Sequence, residues 1–291
     1  MLTIGVFDGV HRGHQVIISR AVERARQVHQ PALLLTFDPH PAEVVRPGSH
    51  PAVLTGARRK AELVAELGVD ALCVVPFTQE FSRLSPAQFV HDILVEQLHA
   101  STVVVGENFR FGAKAAGDIR ELTRLGESFG FATEGIGLIA EAGTRFSSTA
   151  IRALVSAGDV TAAGLALGRP HRVTGVVVRG DGRGREIGYP TANVQPSPQT
   201  GIPADGVYAG RLIRVDGTML AAAVSVGTNP TFAGTERRVE AFVLDFAGDL
   251  YGENVGIDFV TRLRGQVRYA SLEPLLDQMA LDVDETRRLL A

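Results

Sequence analysis

Two imidazoles three residues apart, His11 and His14, stand at the end of Gly5-Val6-Phe7-Asp8-Gly9-Val10-His11-Arg12-Gly13-His14. With a glycine between them that allows close backbone approach, both rings can point at one phosphate chain. Phosphoryl or nucleotidyl transfer needs that kind of positioning and charge stabilisation more than a protein nucleophile. A turn with two solvent-facing histidines fits the same string. A second cluster, Arg145-Phe146-Ser147-Ser148-Thr149-Ala150-Ile151-Arg152, places hydroxyls at a helix start between two guanidinium groups. An ordinary Ser/Thr cap explains the hydroxyls, while the flanking arginines suit a triphosphate.

The second half carries a different constellation. Gly180, Gly182 and Gly184 alternate in Gly180-Asp181-Gly182-Arg183-Gly184-Arg185, a pliable loop able to fold over phosphates. It is not a Walker A loop, because no Lys-Ser or Lys-Thr follows. Thr191 and Asn193 are two apart, so an extended chain sends both side chains to one face. Two neutral oxygens there can hold Mg²⁺ whose other ligands are waters and phosphates; a Pro-Thr turn with an Asn cap is the alternative. Glu240 alternates with Phe242, Leu244 and Phe246. One carboxylate on an apolar face should have a raised pKa, which suits a general base taking a proton from an attacking hydroxyl. A strand-end glutamate reaching water fits equally.

These side chains need a scaffold. Apolar runs at 2–7, 32–37, 71–75 and 102–105, with a weaker one from about 131, alternate with helical periodicity, as in a parallel sheet covered by helices. His14, Ile17, Ile18, Ala21, Val22 and Ala25 form one helix face directly after the first strand. Further helices are predicted at 57–67, 86–98 and 119–129. The first histidine pair therefore falls at the carboxyl end of a strand and the start of a helix, where an anion is favoured. Residues 148–166 read as helix again, and after Gly168-Arg169-Pro170 the pattern changes, so domains of 1–168 and 169–291 are expected. From Val173 onward, short alternating runs at 173–178, 207–213, 221–226, 239–246 and 255–260 are separated by turn residues, as in an antiparallel barrel or sandwich. A helical stripe through Leu272, Leu275, Leu276 and Met279 closes the chain.

The first-half motifs, with Phe37-Asp38-Pro39-His40-Pro41 and Gly106-Glu107-Asn108-Phe109-Arg110-Phe111-Gly112 in the same order, resemble the amino-terminal module of bacterial bifunctional riboflavin kinase/FAD synthetases. The resemblance implies a Rossmann-like nucleotidyltransferase that joins FMN and ATP to give FAD and pyrophosphate. Gly5, Phe7, Asp8, His11, His14, Asn108, Arg145, Ser148, Thr149 and Arg152 would then hold ATP, with His11 and His14 catalytic. Asp38, Pro39, Pro41, Phe109 and Phe111 would lie near the flavin, whose flat ring favours stacking. Gly168-Arg169-Pro170-His171, the glycine loop, Pro190-Thr191-Ala192-Asn193, Asp205-Gly206-Val207-Tyr208, Gly227-Thr228-Asn229-Pro230-Thr231-Phe232 and Val239-Glu240 are similar to the riboflavin kinase module, a six-stranded antiparallel β-barrel here followed by a terminal helix. In that role Gly180, Gly182 and Gly184 would cover ATP, Thr191 and Asn193 would bind ATP and Mg²⁺, and Glu240 would activate the riboflavin 5′-hydroxyl. The chain departs from the family where many members have a histidine at Phe242, and an acidic residue and a Lys-Phe pair near Gln266, Arg268 and Tyr269. Relatives also usually carry a short leader before the first strand.

Composition narrows the alternatives. The 291 residues carry 29 basic and 32 acidic side chains, a net charge of -3, which gives no electrostatic case for gripping nucleic acid. No secretory signal or transmembrane run is expected, and the single cysteine, Cys73, lies in an apolar run. A cytoplasmic enzyme with small-molecule partners follows; the resemblance allows a homo-oligomer. A nucleotidyltransferase acting on another phosphorylated acceptor, a non-catalytic flavin-sensing protein and an oligonucleotide-binding barrel are the competing expectations, the last opposed by the charge.

Overall fold

A computed structural model describes residues 1–137, 140–141, 144–180, 182–231 and 234–291. It divides into two compact units, one of Met1–Pro51 with Thr55–Ser147 and one of Ala52–Leu54 with Ser148–Ala291.

The first unit alternates strand and helix: β1 (Leu2–Ile4), α1 (Arg12–Gln27), β2 (Leu33–Asp38), α2 (Pro41–Val45), α3 (Ala57–Glu66), β3 (Ala71–Pro76), α4 (Pro86–Phe89), β4 (Thr102–Gly106), α5 (Ile119–Phe129) and β5 (Ala132–Ile136). Five parallel strands lie in the order β3-β2-β1-β4-β5. Pleating sends neighbouring residues to opposite sides, so Leu35 packs with Leu2, Val103, Phe89 and Leu122 while Leu34 packs with Ile18, Leu63 and Val64. Both faces are thereby covered, as a parallel sheet requires. The helix expected over 86–98 changes pitch: α4 continues as a π-helix through Val90–Gln97. The short antiparallel pair β6 (Ala140–Glu141) and β7 (Thr144–Arg145) follows β5.

The second unit takes in α6 (Ser148–Ala157) and α7 (Val160–Leu167), then β8 (His171–Val178), α8 (Arg183–Glu186), β9 (Thr191–Pro196), β10 (Gly206–Ile213), β11 (Met219–Thr231), β12 (Gly234–Val243), β13 (Asn254–Arg264) and α9 (Leu272–Leu290). The strands close into an antiparallel barrel in the order β10-β11-β12-β9-β8-β13. Val173, Val177, Ala192, Val194, Val224, Val239, Ala241, Ile257 and Phe259 fill its core. Val160 at the start of α7 is buried in the same cluster, so α7 packs with the barrel. A partly buried ion pair, Arg264 Nη2 to Asp282 at 2.6 Å, fastens α9 to the end of β13.

Two strands end earlier than their sequence pattern predicts, while those read at 221–226 and 255–260 extend to Met219–Thr231 and Asn254–Arg264. β1 ends at Ile4, because Phe7 (φ 49°), Gly9 (φ 87°) and Val10 (φ 40°) turn the chain through left-handed backbone. The run read over 239–246 stops at Val243, where Asp245 (φ 54°) breaks the alternation. β9 carries no clear strand pattern in the sequence, since its residues are half polar, Pro190 precedes it and Pro196 ends it.

Candidate active sites

In the first unit, the carboxyl ends of β1, β2 and β4 carry the phosphate-type residues. Gly5 extends β1 by donating to the Leu35 carbonyl at 3.1 Å. The turn then buries Phe7, Asp8, Val10 and His11. Asp8 Oδ1 accepts from the Thr55 amide at 3.0 Å, which fixes the approach to α3. His11 is the N-cap of α1: its Nδ1 accepts from the His14 amide at 3.3 Å. The rings of His11 and His14 stack with centroids 3.6 Å apart and planes 19° from parallel, and Phe7 meets His14 edge-on at 5.2 Å. A Cβ on Gly13 would come within 3.2 Å of the His11 ring, so glycine keeps room for the stacked pair. Burial holds the His14 pKa well below the ordinary histidine value, with His11 and then Lys60 adding to the effect. A neutral ring follows at neutral pH, and its buried Nδ1 has no hydrogen-bond partner.

Lys60, which no sequence pattern marked, reaches this edge from α3. Its Nζ donates to the Val6 carbonyl at 2.8 Å and toward Thr36 Oγ1 at 3.4 Å. Asn108 folds back against the end of β4: its Oδ1 lies 3.1 Å from where a Cβ on Gly106 would stand. Asp38, the exposed last residue of β2, and the exposed Pro39 after it are joined by a cis peptide; Pro41 occupies the first turn of α2, capped by His40. Phe109 and Phe111 stack at 5.5 Å with planes 13° apart. Phe111 is buried and also packs on Phe89, so it backs Phe109 from the core. Ser148, Thr149 and Arg152 start α6 in the second unit, where Arg152 Nε donates to the Ala52 carbonyl at 2.7 Å. The side chain of Arg145 lies outside the described residues, as do Asp181 and Phe232.

The barrel brings the other constellation together on its outer wall. β12 pairs with β9 so that Glu240 faces Asn193 and Phe242 faces Thr191, and directly opposed residues share a face. Val239, Ala241 and Val243 point into the core, which leaves Glu240, Phe242, Thr191 and Asn193 outside. Thr191 Oγ1 donates to Glu240 Oε2 at 3.4 Å. Ser225 lies opposite Glu240 on β11, and Gln266 Nε2 donates to Ser225 Oγ at 3.0 Å and to the Val226 carbonyl at 2.9 Å. Glu240 therefore sits among polar groups. The apolar surroundings expected from Leu244 and Phe246 are absent because both lie past the end of the strand.

The glycine loop is shaped by these residues. A Cβ on Gly180 would stand 2.3 Å from Asn193 Nδ2, and one on Gly184 would stand 2.4 Å from the Tyr189 carbonyl. Gly182 adopts φ 76° ahead of α8. The ring of Tyr189 packs 5.1 Å from Phe242.

Beside Thr191 a cavity of about 450 Å³ opens at one end of the barrel. Core residues Val177, Ala192, Ala241 and Val243 line its depth, and Arg179, Arg185 and Tyr251 stand at its margin. Arg179 lies 5.7 Å from the Tyr251 ring centre, within cation–π range. An apolar floor, an aromatic ring and two guanidinium groups suit a nucleotide, base inward and phosphates outward. Arg179 and Arg185 flank the glycine loop and read there as its charged surface, while Tyr251 comes from a distant segment with no fixed spacing to them.

Thr191 Oγ1 and the Asn193 amide oxygen are hard neutral donors on one face, next to the Glu240 carboxylate. That set fits Mg²⁺ retaining waters and nucleotide phosphates. Among the described residues no group of three or more His, Cys, Asp or Glu is placed to hold a metal, so a protein-only cage is not available there.

The FAD synthetase family model matches residues 1–150 and the riboflavin kinase family model matches residues 167–290. The bifunctional riboflavin kinase/FMN adenylyltransferase of Escherichia coli K12 is 38% identical over 97% of this chain and 90% of its own length. That of Pseudomonas fluorescens is 40% identical over 99% and 92%. A crystal structure from Streptococcus pneumoniae, named a macrolide-efflux protein, superposes with a TM-score of 0.90 at 32% identity over 98% of this chain and 93% of that one. Its name denotes transport, whereas among the described residues here no helix is long and apolar enough to cross a membrane. With both family models matched in order and relatives aligned almost end to end, the chain belongs to the bifunctional riboflavin kinase/FMN adenylyltransferase family.

Proposed function

We propose that the chain makes FAD in two ATP-dependent steps, phosphorylating riboflavin at the barrel unit and adenylylating FMN at the sheet unit, as a cytoplasmic enzyme. The observation that carries the reading is the outer-wall grouping of Glu240, Thr191 and Asn193 beside the cavity margin. Glu240 takes the proton of the riboflavin 5′-hydroxyl, whose oxygen then attacks the γ-phosphorus of ATP, and ADP leaves. Thr191 orients that carboxylate through its hydroxyl and, with Asn193, is the assigned Mg²⁺ ligand. The ion, when bound, neutralises charge on the transferring phosphoryl oxygens. Arg179 and Arg185 hold phosphate oxygens, and the loop of Gly180, Gly182 and Gly184 closes over them.

In the second reaction an oxygen of the FMN phosphate attacks the α-phosphorus of ATP and pyrophosphate leaves. The phosphate is already ionised, so no general base is needed. His11 and His14 hold and polarise the triphosphate, and Phe109 offers a ring for the flavin. Gly5, Phe7, Asp8 and Asn108 shape the ATP side. The resemblance assigns Arg145, Ser148, Thr149 and Arg152 to ATP as well, and Asp38, Pro39 and Pro41 to the flavin.

The test is chromatography of products after mixing purified protein with riboflavin, ATP and Mg²⁺. FMN appearing first and FAD second is expected; FMN alone, or neither, overturns the reading.

A further inference from the structure

We propose that Lys60 is a positioning residue of the adenylyltransferase site, its one ammonium joining the Val6 carbonyl to the Thr36 hydroxyl and so fixing the carboxyl ends of β1 and β2 beneath the histidine pair. The inference rests on the functional reading above. Thr36 Oγ1 itself donates to the Val6 carbonyl at 3.1 Å, so Lys60, Thr36 and Val6 form a closed set of contacts at the point where β1 gives way to the His11–His14 turn. The Asp8–Thr55 contact holds the entry to α3 against the same turn, which leaves Lys60 little freedom to move away. An ordinary surface lysine extends into water; this one directs its head inward to a strand-end carbonyl.

Charge gives the contact a second consequence. The groups that act on His14 are His11 from its own helix end and Lys60 from α3, while Asp8 and Asp38 act on Lys60. Burial lowers the lysine pKa, and Asp8 and then Asp38 oppose that fall by favouring the ammonium form. A cation near a buried imidazole disfavours the imidazolium, so Lys60 helps to keep His14 neutral. A neutral His14 meets the triphosphate as a hydrogen-bond donor of fixed orientation, with the stacked His11 and the edge of Phe7 bounding its ring.

Two variants separate contact from charge. Lys60→Gln keeps hydrogen-bond donors and removes the cation; Lys60→Arg keeps the cation. In the full chain, Lys60→Gln should lower kcat for FMN adenylylation on the order of 10- to 100-fold, as a small displacement of reacting groups does. Its KM for ATP should change less, and the acidic limb of its pH profile should move to higher pH. Lys60→Arg should keep the limb where the parent has it. Riboflavin phosphorylation in the same samples serves as the control for folding. The imidazole titration of His14 by NMR, assigned with His14→Gln, needs no turnover and should move upward in Lys60→Gln alone. Parent protein that makes no FAD from FMN would refute the functional reading, and the NMR titration would still decide Lys60. Parent-like rate and titration in Lys60→Gln, an equal shift in Lys60→Arg, or failure of both variants to fold would each overturn the proposal.

Discussion

Gly180→Ala isolates the geometry of the kinase site more cleanly than removal of a ligand. The added methyl would stand 2.3 Å from Asn193 Nδ2, 2.6 Å from Cγ and 2.8 Å from Oδ1, where 3.4 Å is ordinary contact. The φ of Gly180 lies outside the left-handed region, so alanine meets no backbone objection and the whole effect falls on Asn193. Asn193 is half-buried on the outer wall opposite Glu240, and it must retreat by about 1 Å to restore ordinary contact. An off-rotamer side chain costs about 0.5–1.5 kcal/mol, which should lower the unfolding midpoint only slightly. Displacing a ligand by about 1 Å should cost on the order of 10²-fold in turnover. The assay is two initial rates on one preparation, riboflavin phosphorylation and FMN adenylylation, with Mg²⁺ varied in the first. Phosphorylation should fall to near the level of Asn193→Ala and need more Mg²⁺, with adenylylation unchanged. Parent-like phosphorylation, or equal damage to both activities, would show that Asn193 does not hold the metal.

Glu240→Gln keeps size and hydrogen bonding but removes basicity, so the kinase rate should fall on the order of 10²–10⁴-fold while added FMN still becomes FAD; a parent-like rate would leave Glu240 structural. His14 is neutral when folded and binds a proton more readily when unfolded, so the unfolded chain takes up more protons as pH falls below about 6.5. Stability should therefore drop with acidification from that point down to the depressed folded pKa, and urea midpoints of His14→Gln should show a weaker dependence over the same range. A fragment of 148–291 should be more stable than one of 169–291, because the latter loses Val160 from the barrel core, worth about 1.5–3 kcal/mol; equal urea midpoints would contradict the assigned packing of α7.

Much of the scaffold was legible because periodicity reports burial. The Leu34–Leu35 pair, the helix face from His14 to Ala25 and the alternation of Val239, Ala241 and Val243 each state which side meets the core. The left-handed backbone at Phe7 and Val10 and the break at Asp245 were not legible, since such backbone at non-glycine positions leaves no compositional mark. That break is why Glu240 was expected among apolar neighbours and is found among Thr191, Asn193 and Ser225. The paired histidines and the Thr191–Asn193 pair were visible because their spacing is local. Lys60 and Tyr251 were hidden because distant segments bring them in, whereas Arg179 and Arg185 border the glycine loop and read as its solvated charges; a single lysine in Arg-Arg-Lys likewise reads as solvated helix surface.

The two-residue period of β12 also bears on how such a barrel changes over time. Along this strand the core is specified by Val239, Ala241 and Val243, and the wall by Glu240 and Phe242. A mutation at 240 or 242 alters what the wall can bind while leaving the packed interior nearly as it was; a mutation at 239 or 241 does the reverse. Selection can then act on acceptor preference and on heat tolerance through different residues of the same strand. Libraries restricted to 191, 193, 223, 225, 240 and 242 should therefore retain a high fraction of folded members even where activity is lost, because every one of those positions lies on the wall.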